Sequence, residues 1–183
     1  FNLRIDSRTF THPLDSSDID PSHWAELVKI ISENYEEYDG FVVLHGTDTM
    51  AFSSSALSFM LEGLNKPVIL TGSQLPIGAL RTDGKANLIT AIEIGAAKRT
   101  DGSPMVPEVC VVFHEKLFRG NRVTKVDTDN FDAFDSPNLP PLAISGTEIK
   151  YNHALIRTYD KGAKLKPHYK MDTHLIIFSL FPG

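Results

Sequence analysis

The 183-residue sequence predicts an α/β fold, an open and mostly parallel sheet with helices on both faces. Two observations lead there. Short continuous apolar runs of strand length alternate with stretches whose apolar residues recur every three or four positions. The composition, 42% hydrophobic and 22% charged, is ordinary for a globular chain, and this length buries a core without disulfide or metal staples.

The elements follow in order. Residues 2–10 alternate loosely, with Leu3, Ile5 and Phe10 apolar, which suits an exposed or edge strand. Asp15-Ser16-Ser17-Asp18 reads as a polar loop. Asp20 before Pro21 marks a helix start, an acceptor at the cap followed by a fixed φ. That helix carries Trp24, Leu27, Val28, Ile31 and Tyr35 on one face. Phe41-Val42-Val43-Leu44 has the continuous apolar character of a parallel strand covered on both sides. A second helix is expected over residues 49–61, closed by Glu62-Gly63. Residues 67–70 form the next strand, Asp83 caps a third helix carrying Leu88, Ile89, Ile92 and Ala96, and Val109 to Phe113 is a further strand.

Beyond residue 131 the pattern weakens. Pro137, Pro140 and Pro141 punctuate it, residues 144–151 suit one strand of a hairpin, and residues 160–170 read as a polar, basic linker. The domain expectation is therefore an α/β domain over 1–159. Residues 160–183 are then a linker and the first strand of a second domain, with the apolar run 174–180 as that strand.

A formal net charge of −5 gives no basic surface for nucleic acid or an anionic membrane. No apolar run approaches the ~20 residues of a membrane span. The single cysteine, Cys110, lies in an apolar run and is expected to be a buried, inert thiol; one free thiol suits a reducing compartment and points to the cytoplasm.

In an open parallel sheet, ligands bind beyond the carboxyl ends of the strands. Three loops leave such ends: His45-Gly46-Thr47-Asp48, Thr71-Gly72-Ser73-Gln74, and residues 114–125. Each sets a glycine beside small polar side chains, which lets backbone approach a ligand and offers free N–H groups. Each of the first two also reads as a plain turn whose Thr, Asp or Ser caps the next helix. Arg119 and Arg122 read as part of a solvated face. Lys125 departs from that only if the chain folds it back near Thr47; a Lys–hydroxyl pair then results, able to take a proton from a threonine or a water, with Asp48 or another carboxylate holding the lysine.

Other constellations fail on spacing. Residues 78–85 imitate a phosphate-binding loop, but the spacing is one residue too long and Ala86 stands where a hydroxyl is needed. His114-Glu115 has Phe118 where a zinc protease needs its second histidine, and Gly72-Ser73 lacks the second glycine of a nucleophile elbow. No metal and no nucleotide cofactor is expected.

His45-Gly46-Thr47-Asp48-Thr49-Met50-Ala51, followed by Ser55-Ala56-Leu57-Ser58-Phe59-Met60-Leu61, resembles a signature of bacterial-type L-asparaginases. The likeness continues through residues 66–74, Arg119-Gly120-Asn121-Arg122 and Phe131-Asp132-Ala133-Phe134, with Leu14 to Asp18 upstream and an echo at Phe181-Pro182-Gly183. The wording is closer to the cytoplasmic type I branch. The resemblance implies an amidohydrolase that converts L-asparagine to L-aspartate and ammonia through a threonine acyl-enzyme, without cofactor, assembled as a homodimer or homotetramer. By motif position Thr47, Asp48 and Lys125 correspond to the catalytic threonine, aspartate and lysine that support proton transfer. Asp15, Ser16 and Ser17 correspond to the loop that holds the substrate's α-carboxylate and α-amino group, with Asp48 on the ammonium and Gly46 and Ser73 also at the substrate.

One departure is large. The family's Thr-Gly-Gly-Thr segment, carrying the primary nucleophile, does not occur in this sequence, so the chain is expected to supply half a site and to be inactive alone. Two other functions fit parts of the pattern. The asparaginase-like subunit of a tRNA-dependent amidotransferase shares His-Gly-Thr-Asp-Thr-Met, but it tends to be basic where Val126-Asp127-Thr128-Asp129-Asn130 is acidic. A non-catalytic amino-acid-binding domain would use the same loops without hydrolysis.

Overall fold

The computed structural model describes residues 3–11 and 14–180. Helix α1 (Pro21–Glu33) starts as the sequence predicts: the Asp20 side chain accepts from the N–H groups of Ser22 and His23, and Pro21 occupies the first turn. Strand β1 (Phe41–Leu44) leads into α2 (Met50–Met60), and a short β2 (Leu61–Glu62) follows. Next come β3 (Val68–Thr71), α3 (Gly84–Ala96), β4 (Val109–Phe113) and β5 (Lys116–Arg119). Short strands complete the chain: β6 (Thr124–Lys125), β7 (Phe134–Asp135), β8 (Ala143–Ser145), β9 (Ile149–Tyr151) and β10 (Lys166–Pro167).

The main sheet is open, with order β1-β3-β4-β5-β8-β9. Side chains on its central strands alternate between two cores, as the period of two requires. Val68, Leu70, Val109, Val111 and Phe113 face one core with α1 and α2 residues such as Val28, Ile31, Met50 and Leu57. Ile69, Cys110 and Val112 face the other with Ala91 and Ile94 of α3. Helices thus cover both faces, as the sequence predicts. Cys110 lies fully buried in the second core, and that burial pushes its thiol pKa well up, so it is inert as expected.

Several expectations are corrected. The sheet is mixed: β1–β3 and β3–β4 are parallel, while β4–β5, β5–β8 and β8–β9 are antiparallel. The switch occurs because β4 turns back at once through His114 and Glu115, with φ of 43° and 65°. A two-residue connection with positive φ at both positions makes a hairpin, and a parallel crossover needs a dozen or more residues. Residues 114–125 are therefore two short strands with turns at 114–115 and 120–122, not a strand-to-helix loop.

Strand β1 is at the edge of the described sheet and its last residue, Leu44, is 65% exposed, yet both of its faces are covered as expected, Phe41 and Val43 packing on the first core and Val42 on the second. Helix α3 turns a different face inward: Asn87, Ala91 and Ile94 are buried while Ile89 is 64% exposed. Residues 3–10 form no strand; side-chain contacts hold them, Arg4 to Asp6 and Tyr38 to Asp6. Residues 144–151 form both strands of a hairpin, β8 and β9. The stretch 160–170 is tied down, since β10 pairs with β2 and the His168 N–H donates to the Met60 carbonyl. Residues 174–180 have no regular structure and are exposed. Asn2, Pro13 and Phe181-Pro182-Gly183 lie outside the described residues.

Candidate active site

The His45 N–H donates to the Thr71 carbonyl at 2.9 Å, extending the β1–β3 ladder one step past the strand end. The chain then turns through Gly46, Thr47 and Asp48 into α2. A second loop packs on this turn. Ser16–Asp18 is one turn of 3-10 helix, capped by Asp15, whose carboxylate accepts from the Ser17 N–H and hydroxyl, both at 2.9 Å. Those bonds hold the Asp15 carboxyl below its ordinary range. Ser16 is buried against Gly46, and the Thr49 hydroxyl donates to the Ser16 carbonyl at 2.6 Å. Thr49 thus latches the two loops together; its side chain does not cap α2.

Lys125 reaches the same place from 78 residues further on. Its Nζ donates to Thr47 Oγ1 and to Asp48 Oδ1, each at 2.8 Å. The folding back that the sequence left conditional does occur. Strand pairing explains it: Lys125 is held opposite Phe134, which is buried and packs against Phe113 with ring centroids 4.8 Å apart. The Lys125 side chain is 15% exposed and that of Asp48 is 65% exposed. Lysine is therefore sheltered, while the carboxylate faces solvent with Oδ2 unbonded among the described residues.

Ser73 follows β3. Glycine at 84 admits it closely, since a β-carbon there would lie 3.1 Å from Ser73 Cβ. No hydrogen bond joins Ser73 to Thr47, Asp48 or Lys125 among the described residues. Its loop is fixed by Asp83, which stands at the N-cap of α3 as expected but turns its side chain to the loop and makes no cap hydrogen bond with it. The Asp83 carboxylate accepts from the Gln74 N–H at 3.0 Å, the Leu75 N–H at 3.2 Å and Asn87 Nδ2 at 3.1 Å. The Gln74 side chain in turn donates to the Thr128 and Asn130 carbonyls, tying this loop to the segment after Lys125.

Reading the sequence assigns no positioning role to His45, Ser53, Trp24, Asp83, Asn87 or Gln74, which hold these loops in place. Position beyond a strand end was the available signal for His45 and Gln74. Arg119 is also corrected: it is no solvated cation but bonds the buried Glu108 through Nε at 2.6 Å, and its Nη2 donates to the Leu155 carbonyl at 2.6 Å. Arg122 is exposed, as expected. Among the described residues no group of three or more His, Cys, Asp or Glu could hold a metal ion, and no helix is long and apolar enough to cross a membrane.

Chemically, a sheltered amine bridging a hydroxyl and a carboxylate can pass a proton to or from the hydroxyl, while the carboxylate steadies its charged form. The exposed oxygen of Asp48 is free for a cationic group.

Comparison with known proteins gives the family. The chain is 51% identical over 174 residues to L-asparaginase 1 of Escherichia coli (strain K12), covering 95% of this chain and 49% of that protein. It is 50% identical over 169 residues to the 60 kDa lysophospholipase of Homo sapiens, covering 92% of this chain and 28% of that protein. Among solved structures, L-asparaginase I from Vibrio cholerae superposes with a TM-score of 0.76 at 46% identity, over 85% of this chain and 45% of that one. Glutamyl-tRNA(Gln) amidotransferase subunits D also match, at lower identity. The chain thus spans half or less of the length of these relatives. The family profile described as "Asparaginase, N-terminal" matches residues 3–157, and the chain belongs to the asparaginase family.

Proposed function

We propose that this chain is the part of an L-asparaginase that manages protons and binds substrate, in an enzyme converting L-asparagine to L-aspartate and ammonia. The observation that carries the reading is Lys125 Nζ, 2.8 Å from both Thr47 Oγ1 and Asp48 Oδ1. In this reading a threonine outside the present sequence attacks the side-chain amide. Thr47 and Lys125 relay the proton to the departing ammonia and then take one from the water that hydrolyses the acyl-enzyme. Asp48 pairs through its open oxygen with the substrate's α-ammonium. The Asp15-Ser16-Ser17 turn meets the α-carboxylate and α-amino group, and Gly46 and Ser73 border the amide. No cofactor takes part.

The proposal extends to the rest of the molecule. The 160–183 segment leads into a second domain, the enzyme works in the cytoplasm, and it assembles as a homodimer or homotetramer.

The test is ammonia release from L-asparagine by this chain alone and by a protein of the relatives' full length. Release by the long form only, abolished by Lys125→Met, supports the reading. Release by the chain alone overturns the divided site. A second reading comes from the 50% identity to a human protein named a lysophospholipase. An acyl-transfer site can open an ester as well as an amide, so lysophosphatidylcholine belongs in the same assay; cleavage of it in preference to asparagine would replace the first reading.

A further inference from the structure

We propose that His45 is a positioning residue, held as the neutral tautomer protonated at Nδ1, and that it fixes the Gly46–Thr47 peptide beside Lys125. The inference rests on the asparaginase reading only for its effect on catalysis; the tautomer and the loop follow from geometry.

His45 Nδ1 lies 2.7 Å from the Gly46 carbonyl, and Nε2 lies 2.8 Å from Ser53 Oγ. Trp24 Nε1 donates to the same Ser53 Oγ at 2.8 Å. A carbonyl only accepts, so Nδ1 carries a proton. An indole N–H only donates, so Ser53 spends a lone pair on Trp24 and its own proton goes to His45 Nε2. Trp24, Ser53, His45 and Gly46 are thereby satisfied as one chain, from α1 through α2 to the end of β1. If Nε2 were also protonated, Ser53 could accept from both rings, but its own proton would lose its partner in a side chain that is fully buried. Burial of the ring favours the same neutral form, lowering the His45 pKa.

The consequence is directional. The described chain has no cis peptide, so the Thr47 N–H points opposite to the Gly46 carbonyl and away from the imidazole. That N–H has no protein acceptor among the described residues. The ring itself has a fixed origin: the His45 N–H is bonded to Thr71, and a β-carbon on Gly72 would fall 2.2 Å from the His45 carbonyl. His45 therefore orients the one peptide that leads into both Thr47 and Asp48.

Nitrogen-15 NMR of the imidazole in this chain near neutral pH tests the tautomer without any variant. A proton on Nδ1 with a bare, hydrogen-bonded Nε2 is expected; the Nε2–H tautomer, or averaging between the two, overturns the proposal. Ser53→Ala should speed amide exchange at His45, whose N–H is bonded to the Thr71 carbonyl where the turn begins, about tenfold, the equivalent of one lost hydrogen bond. In the protein of full family length, His45→Ala should raise KM for L-asparagine about tenfold with a smaller change in kcat, and His45→Asn, which keeps a donor for Gly46, should recover most of it. Unchanged exchange in Ser53→Ala, or no difference between the alanine and asparagine variants, overturns the proposal. If the unmutated long form releases no ammonia, the asparaginase reading fails, and tautomer and exchange still decide the role of His45.

Discussion

Gly46 lies so close to Ser16 that a β-carbon built on it would fall 2.5 Å from the Ser16 hydroxyl and 2.6 Å from its Cβ. Ser16 cannot swing its whole side chain away, because it is buried and its carbonyl is held by Thr49. Gly46→Ala should therefore push the Asp15–Asp18 turn off the Thr47 loop and cost about 1–3 kcal/mol of stability. Urea unfolding measures the loss, and Gly46→Ala combined with Ser16→Gly should recover much of it, since the two positions are in contact.

Lys125 yields a second prediction. If it relays protons, Lys125→Met in the full-length enzyme should lower kcat by about 10²–10⁴-fold. Lys125→Arg should remain low too, because a guanidinium keeps the charge but does not give up its proton. Unfolding midpoints of the two variants check that the fold survives. Full activity in the arginine variant would mean that Lys125 supplies only charge.

The hold of Lys125 on Thr47 shows what a single sequence can and cannot disclose. Strands β3 and β4 are legible because apolar residues run without interruption over 68–70 and 109–113, and the buried pattern of both follows. The β4–β5 hairpin is not, since His114 and Glu115 carry none of the usual glycine or asparagine marks of a turn with positive φ. The phase of α3 departs from its apolar spacing for a related reason. Asn87 faces inward, donating to the Gly72 carbonyl at 3.0 Å and accepting from the His114 N–H at 3.2 Å, so a polar residue occupies a core position. The Lys125–Thr47 contact spans 78 positions, and neither periodicity nor local spacing encodes it. Motif resemblance named those residues, and the Phe134 anchor then explains how they meet.

Asp83 anchors the Ser73 loop. Its carboxylate takes two backbone N–H groups and the Asn87 amide, so Asp83→Ala would strand partly buried donors. The expected loss is about 1.5–3 kcal/mol in unfolding experiments. Asp83→Asn, which can present one acceptor, should lose less. Amide exchange at Gln74 and Leu75 should rise in both variants, and a change confined to the N-terminus of α3 would instead argue that Asp83 serves its own helix.

His45 makes stability depend on pH in a definite direction. Burial lowers its pKa in the folded chain below the ordinary 6.5 that the unfolded chain retains. Above about pH 6.5 both states are neutral at this position and nothing is lost. As the pH falls below that value the unfolded chain binds the proton first, so stability declines until the folded-state pKa is reached. Carboxyls held low, such as Asp15, act in the same direction but at more acidic pH, around and below the ordinary carboxylate range. Urea unfolding at about pH 7.5 and pH 5.5 should thus show a loss of stability on acidification that is smaller in His45→Gln, which has no proton to bind there. An equal loss in both chains would place the pH sensitivity elsewhere and leave His45 freely protonated in the fold.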